Sequence, residues 1–401
     1  MLDVSASEVL RYTRKILHSQ AAILRSGRHS FGKEVKALRF SFAQGQVWAD
    51  DGSPPASEAD TFKKEESIVL SKLKSDFRNN PSMYYAMSIA ATWANAGSLL
   101  NGVEMARGSG ILPFILWALG NTLACIVFGI FAPMIPRLRD VFRSRTMKIV
   151  MGIMCPFQCW VSMNGIQSIF SDTILGAGWG TGIALAFAVA FIAMLYKFGM
   201  IRNVLTDHMS WIAVYVIIFG LTIVTLFVSP GNHISLEWGA EVENIGTGIV
   251  SSILLIPGAF LYPYYFALLD YNDGNEDGTA RVNIRRAFIA GGLIFGIYLA
   301  FVFLMSLTVL GPILNIVNAV LVTLIAASSL SSFQYSIYLT FGRELGLGVN
   351  VLTVALWQFL IPLGVMGAWT LMASIRIYIV AAAVIAAFCW HFTDKKREVQ
   401  A

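Results

Sequence analysis

Charge is what this chain lacks. Only 13% of its 401 residues are charged, while 56% are hydrophobic and the mean hydropathy is +0.65. A soluble domain carries about 25% charged residues, so an ordinary water-solvated fold is excluded. The formal net charge of +5 says little about nucleic acid, because Lys and Arg sit in alternate loops, and no nucleic-acid partner is expected. The four cysteines, Cys125, Cys155, Cys159 and Cys389, all fall in apolar runs, which argues against a disulfide scaffold. Cys155 and Cys159 lie one helical turn apart and read as packing. The five histidines, His18, His29, His208, His233 and His391, are scattered, and no H-E-x-x-H pattern occurs. A membrane enzyme needs such groups gathered at one depth, so an enzyme is not expected. A cleavable signal peptide is not expected either, because the N-terminus is charged and polar.

What the chain has instead is repeated apolar runs, and roughly 20 apolar residues cross a bilayer as a helix. Ten spans are read, at 83–106, 109–134, 149–171, 174–198, 206–228, 246–269, 286–311, 313–340, 347–368 and 369–392. Gly108-Ser109-Gly110 and Gly367-Ala368-Trp369 are expected as tight turns between neighbouring spans. The expected fold is all-α and polytopic. A transmembrane core at 83–392 divides into halves 83–228 and 246–392, with an N-terminal region 1–82 and a tail 393–401. Within the N-terminal region, Val9, Leu10, Ile16, Leu17 and Leu24 are helically spaced between Arg11, Arg14 and Lys15. That pattern suits an amphipathic helix on a membrane surface or against a protein partner, and equally a helix packed within its own small domain. Residues 50–59 (DDGSPPASEA) read as a loop, and a second helix is expected over 65–77.

Loop charge sets the orientation. Residues 135–148 hold Arg137, Arg139, Arg143, Arg145 and Lys148 against Asp140. Lys197, Arg202, Arg281, Arg285, Arg286, Arg343, Lys395, Lys396 and Arg397 fall on the same side. Residues 229–245 carry Glu237, Glu241 and Glu243 with neither Lys nor Arg. Both termini are therefore expected in the cytoplasm, with the core in the plasma (inner) membrane. Five spans per half is an odd number, so the second half is expected to be inverted relative to the first.

Two spans are interrupted at mid-depth. The first contains Ala94-Asn95-Ala96-Gly97-Ser98 and the sixth Ile256-Pro257-Gly258-Ala259, and they hold matching positions in the two halves. A broken helix exposes backbone groups that lipid cannot satisfy, so breaks line cavities or binding sites. A matched pair points to a secondary transporter. Gly97 and Asn101 at the first break are expected to bind solute, as are Gly258, Phe260 and Tyr262 at the second. Small residues also serve close helix packing, and tyrosines also form interfacial belts. In the third span, Gln158 and Asn164 are further solute-binding candidates. Asn164 shares a face with Gln167.

The eighth span carries Ala326-Ala327-Ser328-Ser329-Leu330-Ser331-Ser332. This run, together with ATWANAGSLLNGVEMARGSG over 91–110, resembles the sodium:solute symporter family. Trp93 and Gly97-Ser98-Leu99-Leu100 fit the nucleobase-cation symporter family nearly as well. Both resemblances imply a LeuT-like core of the amino acid-polyamine-organocation superfamily, with ten helices in a 5+5 inverted repeat. The first also implies Na+ as coupling ion. Ser328 and Ser329 would then offer hydroxyl oxygens and Asn95 and Ser98 backbone carbonyls, a donor set suited to a hard cation. Without the resemblance, the serines are read as bonding back to their own helix. The chain departs from the first family in having no spans beyond ten and in its 82-residue head.

Charges inside membranes tend to be functional. Glu104 near the outer end of the first span and Arg376 in the tenth are expected to pair as an outer gate, or else each reaches water by itself. The expected function is cation-coupled symport of a small polar organic solute in a lipid bilayer, with no organic cofactor. The alternative is a transporter fold serving as sensor or scaffold, acting through a cytoplasmic partner of residues 1–82.

Overall fold

Apolar residues surround most of each span instead of forming one stripe, the pattern of helices buried in protein or lipid. A computed structural model of the chain describes residues 81–134, 144–195, 200–228, 234–273 and 282–364, with isolated positions 371, 375, 378, 379 and 382. Among these residues the structure is helical and holds no strand. The expectations for residues 1–80, for the tail, and for most of the tenth span with Arg376 and Cys389 lie outside the described residues.

The helices in chain order are α1 (Pro81–Trp93), α2 (Ala96–Gly108), α3 (Ile111–Met134), α4 (Arg145–Ser171), α5 (Ala177–Leu195) and α6 (Met200–Val228). Then come α7 (Val242–Gly258), a 3-10 turn Ala259–Leu261, α8 (Pro263–Asp273), α9 (Ile284–Ser306), α10 (Pro312–Phe341), α11 (Arg343–Trp357) and a 3-10 turn Ile361–Leu363. Seven of the described helices, α3, α4, α5, α6, α7, α9 and α10, are long and apolar enough to cross a membrane. The outward faces agree. Leu119, Phe131, Val216, Phe227, Ile253 and Leu293 are all exposed, and apolar surface on that scale needs lipid to cover it. The chain is an integral membrane protein by this measure.

Both interrupted spans are broken, one where expected and one displaced. The first stops at Trp93 and restarts at Ala96. In the sixth the interruption falls at 259–262 instead of 256–259, because Pro263 is the stronger breaker. Proline disfavours helical backbone at the residue before it, and Tyr262 is extended (φ −104°, ψ 104°). Pro257 is absorbed into the last turn of α7. Several boundaries also move. The helix expected at 206–228 begins at Met200, and the span expected at 347–368 is a helix over Arg343–Trp357.

The Gly108–Gly110 joint is the tight turn expected. α2 ends at Gly108, and Gly110 takes φ +105° before α3 begins, a backbone region that favours glycine. There the non-helical segment 234–240 joins two helix ends. Ile111 and Leu112 donate to the carbonyls of Glu237 and Trp238 at 3.0 and 3.1 Å, and Ile234 donates to Leu307 at 2.7 Å. These bonds satisfy helix-terminal groups that lipid would leave bare.

α10 is the central element and packs on α2, α4, α5, α6, α8 and α11, while α3 packs on α7 and α9. Pro312 starts α10 at its first turn, and Gly342 ends it at φ +80°. α4 and α2 meet closely where a Cβ on Gly165 would overlap the Ala96 side chain.

Candidate functional site: the paired helix breaks

The first break is a capped helix start. Asn95 is extended (φ −123°, ψ 175°), and its Oδ1 accepts from the Ser98 amide at 3.0 Å. Asparagine satisfies an orphan amide this way and draws the backbone out of helix. Ser98 Oγ donates to the Asn95 carbonyl at 2.7 Å and lies 3.3 Å from the Tyr298 hydroxyl. Asn95 Nδ2 donates to Gln158 Oε1 at 3.3 Å, so α4 brings Gln158 to the break. Gly97 sits between the two asparagines, where a Cβ would stand 2.9 Å from Asn95 Oδ1 and 3.2 Å from Asn101 Nδ2. The Asn101 side chain is 6% exposed, and neither its oxygen nor its nitrogen has a partner. A buried, unsatisfied amide is a destabilising feature unless something binds it.

The second break adjoins the first. Trp93, the last residue of α1, packs on Tyr262 with ring centroids 5.2 Å apart. Trp93 Nε1 donates to Asn121 Oδ1 at 3.1 Å. Tyr262 also packs on Phe333 of α10 at 5.2 Å and on Tyr265 at 5.4 Å. The Tyr265 hydroxyl donates to the Ile89 carbonyl at 2.8 Å. Each break thus ends one helix and starts another within one aromatic cluster. Carbonyl ends attract cations, and amide ends attract anions.

A third feature escaped the sequence reading. Asp207 of α6 is 1% exposed inside a spanning helix. Ser88 Oγ of α1 donates to its Oδ2 at 2.6 Å, and Asn203 Nδ2 reaches the same oxygen at 3.3 Å. Ser88 Oγ also lies 2.9 Å from the Tyr264 hydroxyl of α8. Asn203 bridges onward, with Nδ2 3.1 Å from the Tyr264 hydroxyl and 3.2 Å from Ser332 Oγ, and with Oδ1 accepting from Ser331 at 3.0 Å. Thr92 of α1 donates to Ser332 at 3.0 Å. Starting the fifth span at 206 put Asp207 at a water boundary. The helix starts at Met200 and its apolar span at Asn203, one turn before Asp207.

The expected site residues do not all converge. Ser329 Oγ lies 2.8 Å from Ser162 Oγ and donates to the Ala326 carbonyl at 3.0 Å. Ser328 is buried, and its carbonyl accepts from Ser331. Among the described residues neither serine is bonded to Asn95 or Ser98. Asn164 turns to the end of α11. It accepts from Trp357 Nε1 at 2.7 Å and donates to the Leu360 and Gly364 carbonyls at 3.3 and 3.0 Å. Phe260 packs on Phe128 at 5.1 Å, and Gly258 is buried at the end of α7. Glu104 is exposed. Cys125, Cys155 and Cys159 are free and buried.

No family model matches the chain, and no curated protein matches it significantly. Among solved structures, the chain is similar to a manganese transporter of Eremococcus coleocola in complex with an aromatic bis-isothiourea substituted compound. That likeness has 13% identity and a TM-score of 0.33, and it covers 90% of this chain and 77% of that one. A TM-score of 0.33 is too low for the likeness to decide fold or cargo.

Proposed function

We propose that the chain is a cation-coupled secondary transporter of a small polar organic solute, with a LeuT-like inverted-repeat core. The observation that carries this reading is the contact of two broken helices at their breaks, Trp93 on Tyr262. Paired discontinuous helices of this kind form solute and ion sites in transporters. The packing of α3 on α9 and of α4 on α10 supports the repeat, because each pair joins corresponding spans of the two halves.

In this reading Gly97, Asn101 and Gln158 bind solute from the first break, and Gly258, Phe260 and Tyr262 wall the second. Asn164 contributes by holding the end of α11 against α4. Sodium is the coupling ion, bound by the Asn95 and Ser98 carbonyls and the Ser328 and Ser329 hydroxyls. Binding requires Ser98 Oγ to release the Asn95 carbonyl, which already accepts from the Ser98 amide at 2.9 Å as well. Glu104 pairs with Arg376 as the outer gate. Both termini are cytoplasmic in the plasma membrane, and residues 1–82 dock a protein partner.

The test is thermal stability of the purified protein in sodium, with potassium and choline as controls. A folded-state ligand at 100 times its dissociation constant adds about 2.7 kcal/mol. A sodium-selective rise in Tm, lost when Ser328→Ala and Ser329→Ala are combined, is expected. Equal Tm in all three salts removes sodium. If solute uptake in proteoliposomes is also absent under both sodium and pH gradients, the sensor or scaffold alternative replaces transport. Charge reversal at Glu104 and at Arg376, singly and together, tests the gate. Uptake regained only in the double reversal is expected.

A further inference from the structure

Asp207 is a carboxylate sealed inside a membrane protein, and among the described residues no basic side chain pairs with it. Intramembrane acids are costly and are retained for ion or proton movement. Its surroundings narrow the choice. The two groups that reach Oδ2 are a hydroxyl and an amide NH2, both acting as donors. A metal cation needs several oxygen lone pairs directed at it. Here the hydrogens point at the carboxylate, and the ion that fits without turning them is a proton on the carboxyl itself.

Position adds a consequence. Ser88 belongs to α1, which ends at the first break, and Tyr264 to α8, which begins after the second. A chain runs from the Tyr264 hydroxyl through Ser88 Oγ to Asp207 Oδ2, in steps of 2.9 and 2.6 Å. Bonds to an ionised acceptor are roughly twice as strong as neutral ones. We propose that Asp207 is a proton-binding site whose charge clamps α1 and α8 to α6, and whose protonation releases them.

The step balances simply. A hydronium ion reaching the site loses one O–H bond to become water, and Asp207 gains one O–H bond and loses its charge. Ser88 and Asn203, whose Nδ2 also reaches the Tyr264 hydroxyl at 3.1 Å, then both face a weaker acceptor, which loosens the α1 and α8 ties to α6 together. The other titratable groups nearby are His208 and several tyrosines. The His208 ring stacks on Tyr84 at 4.0 Å and leaves Nδ1 without a partner, and Tyr335 packs on Tyr264 at 6.0 Å. The use of this clamp in coupling rests on the transporter reading, but the proton site does not.

The experiment reads the carboxyl directly, so it does not depend on sodium or solute. Infrared difference spectra of the purified full chain between acid and alkaline pH are expected to show a buried protonated-carboxyl band that Asp207→Asn lacks. Ser88→Ala, which removes a bond to the charged form, is expected to displace the midpoint of that band by about one pH unit. Hydrogen exchange over 263–273 is expected to quicken on acidification in the native protein, and to be fast and independent of pH in Asp207→Asn. Identical difference spectra with and without Asp207→Asn overturn the proton site. Unchanged exchange over 263–273 overturns the clamp. If Asp207→Asn does not fold, the midpoints of Ser88→Ala and Tyr264→Phe decide, and no displacement in either overturns the proposal.

Discussion

Trp93 and Tyr262 stand at the two helix breaks, one closing α1 and the other preceding α8, with ring centroids 5.2 Å apart. Residues 169 positions apart in sequence therefore wall the same point in the protein interior. Trp93→Ala is expected to lower stability by about 3–5 kcal/mol, as for other buried large aromatics. Trp93→Phe keeps a ring but strands Asn121 Oδ1 and is expected to cost about 1–3 kcal/mol. A double-mutant cycle with Tyr262→Ala, read by thermal unfolding in detergent, should give a coupling of about 0.5–1.5 kcal/mol. Strict additivity would mean the breaks are energetically separate.

The contact between Gly165 and Ala96 sets how closely α2 approaches α4. Gly165→Ala forces two methyl groups into one space and is expected to destabilise by about 1–3 kcal/mol. Adding Ala96→Gly vacates that space and should recover most of the lost Tm. If the double variant is less stable than either single one, the approach is not what limits this interface.

Asn95 and Asn101 flank Gly97 with opposite accounts. Asn95 caps α2 and bonds Gln158, so Asn95→Ala should lower stability by about 1 kcal/mol. Asn101 bonds to nothing among the described residues, so Asn101→Ala is expected to leave Tm unchanged or raise it. Solute binding should nonetheless weaken by tenfold or more, since about 1.4 kcal/mol is tenfold in affinity and a lost polar contact is worth that much. A marked fall in Tm for Asn101→Ala would show that its amide already has a partner.

Arg107 ties the end of α2 to the end of α9. Its Nε donates to the Ser306 carbonyl at 2.9 Å and its Nη2 to the Thr308 carbonyl at 2.8 Å. The planar fork serves both carbonyls at once, which a lysine ammonium does not. Arg107→Ala is expected to speed hydrogen exchange in segment 234–240, whose Ile234 bonds to the adjoining Leu307. Arg107→Lys should restore less than half of the protection. Equal protection in all three proteins would exclude a latch.

The sequence by itself determined that this is a membrane protein, where most spans run, and that the first and sixth are interrupted. Those properties are local. Spanning length and apolarity belong to each run, and the Asn95 cap and the proline restriction act on neighbouring residues alone. Even the displaced second break has a local cause, Pro263 acting on Tyr262. What only the tertiary structure decided is which polar groups meet. Ser88, Asn203, Asp207 and Tyr264 come from three helices, and no spacing in the chain announces their contact. Asn164 and Gln158 read alike as amides on one helix, yet one serves α11 and the other the first break. Their roles depend on which neighbour each helix face meets. That is fixed by packing across more than a hundred residues of chain, and no local propensity encodes it.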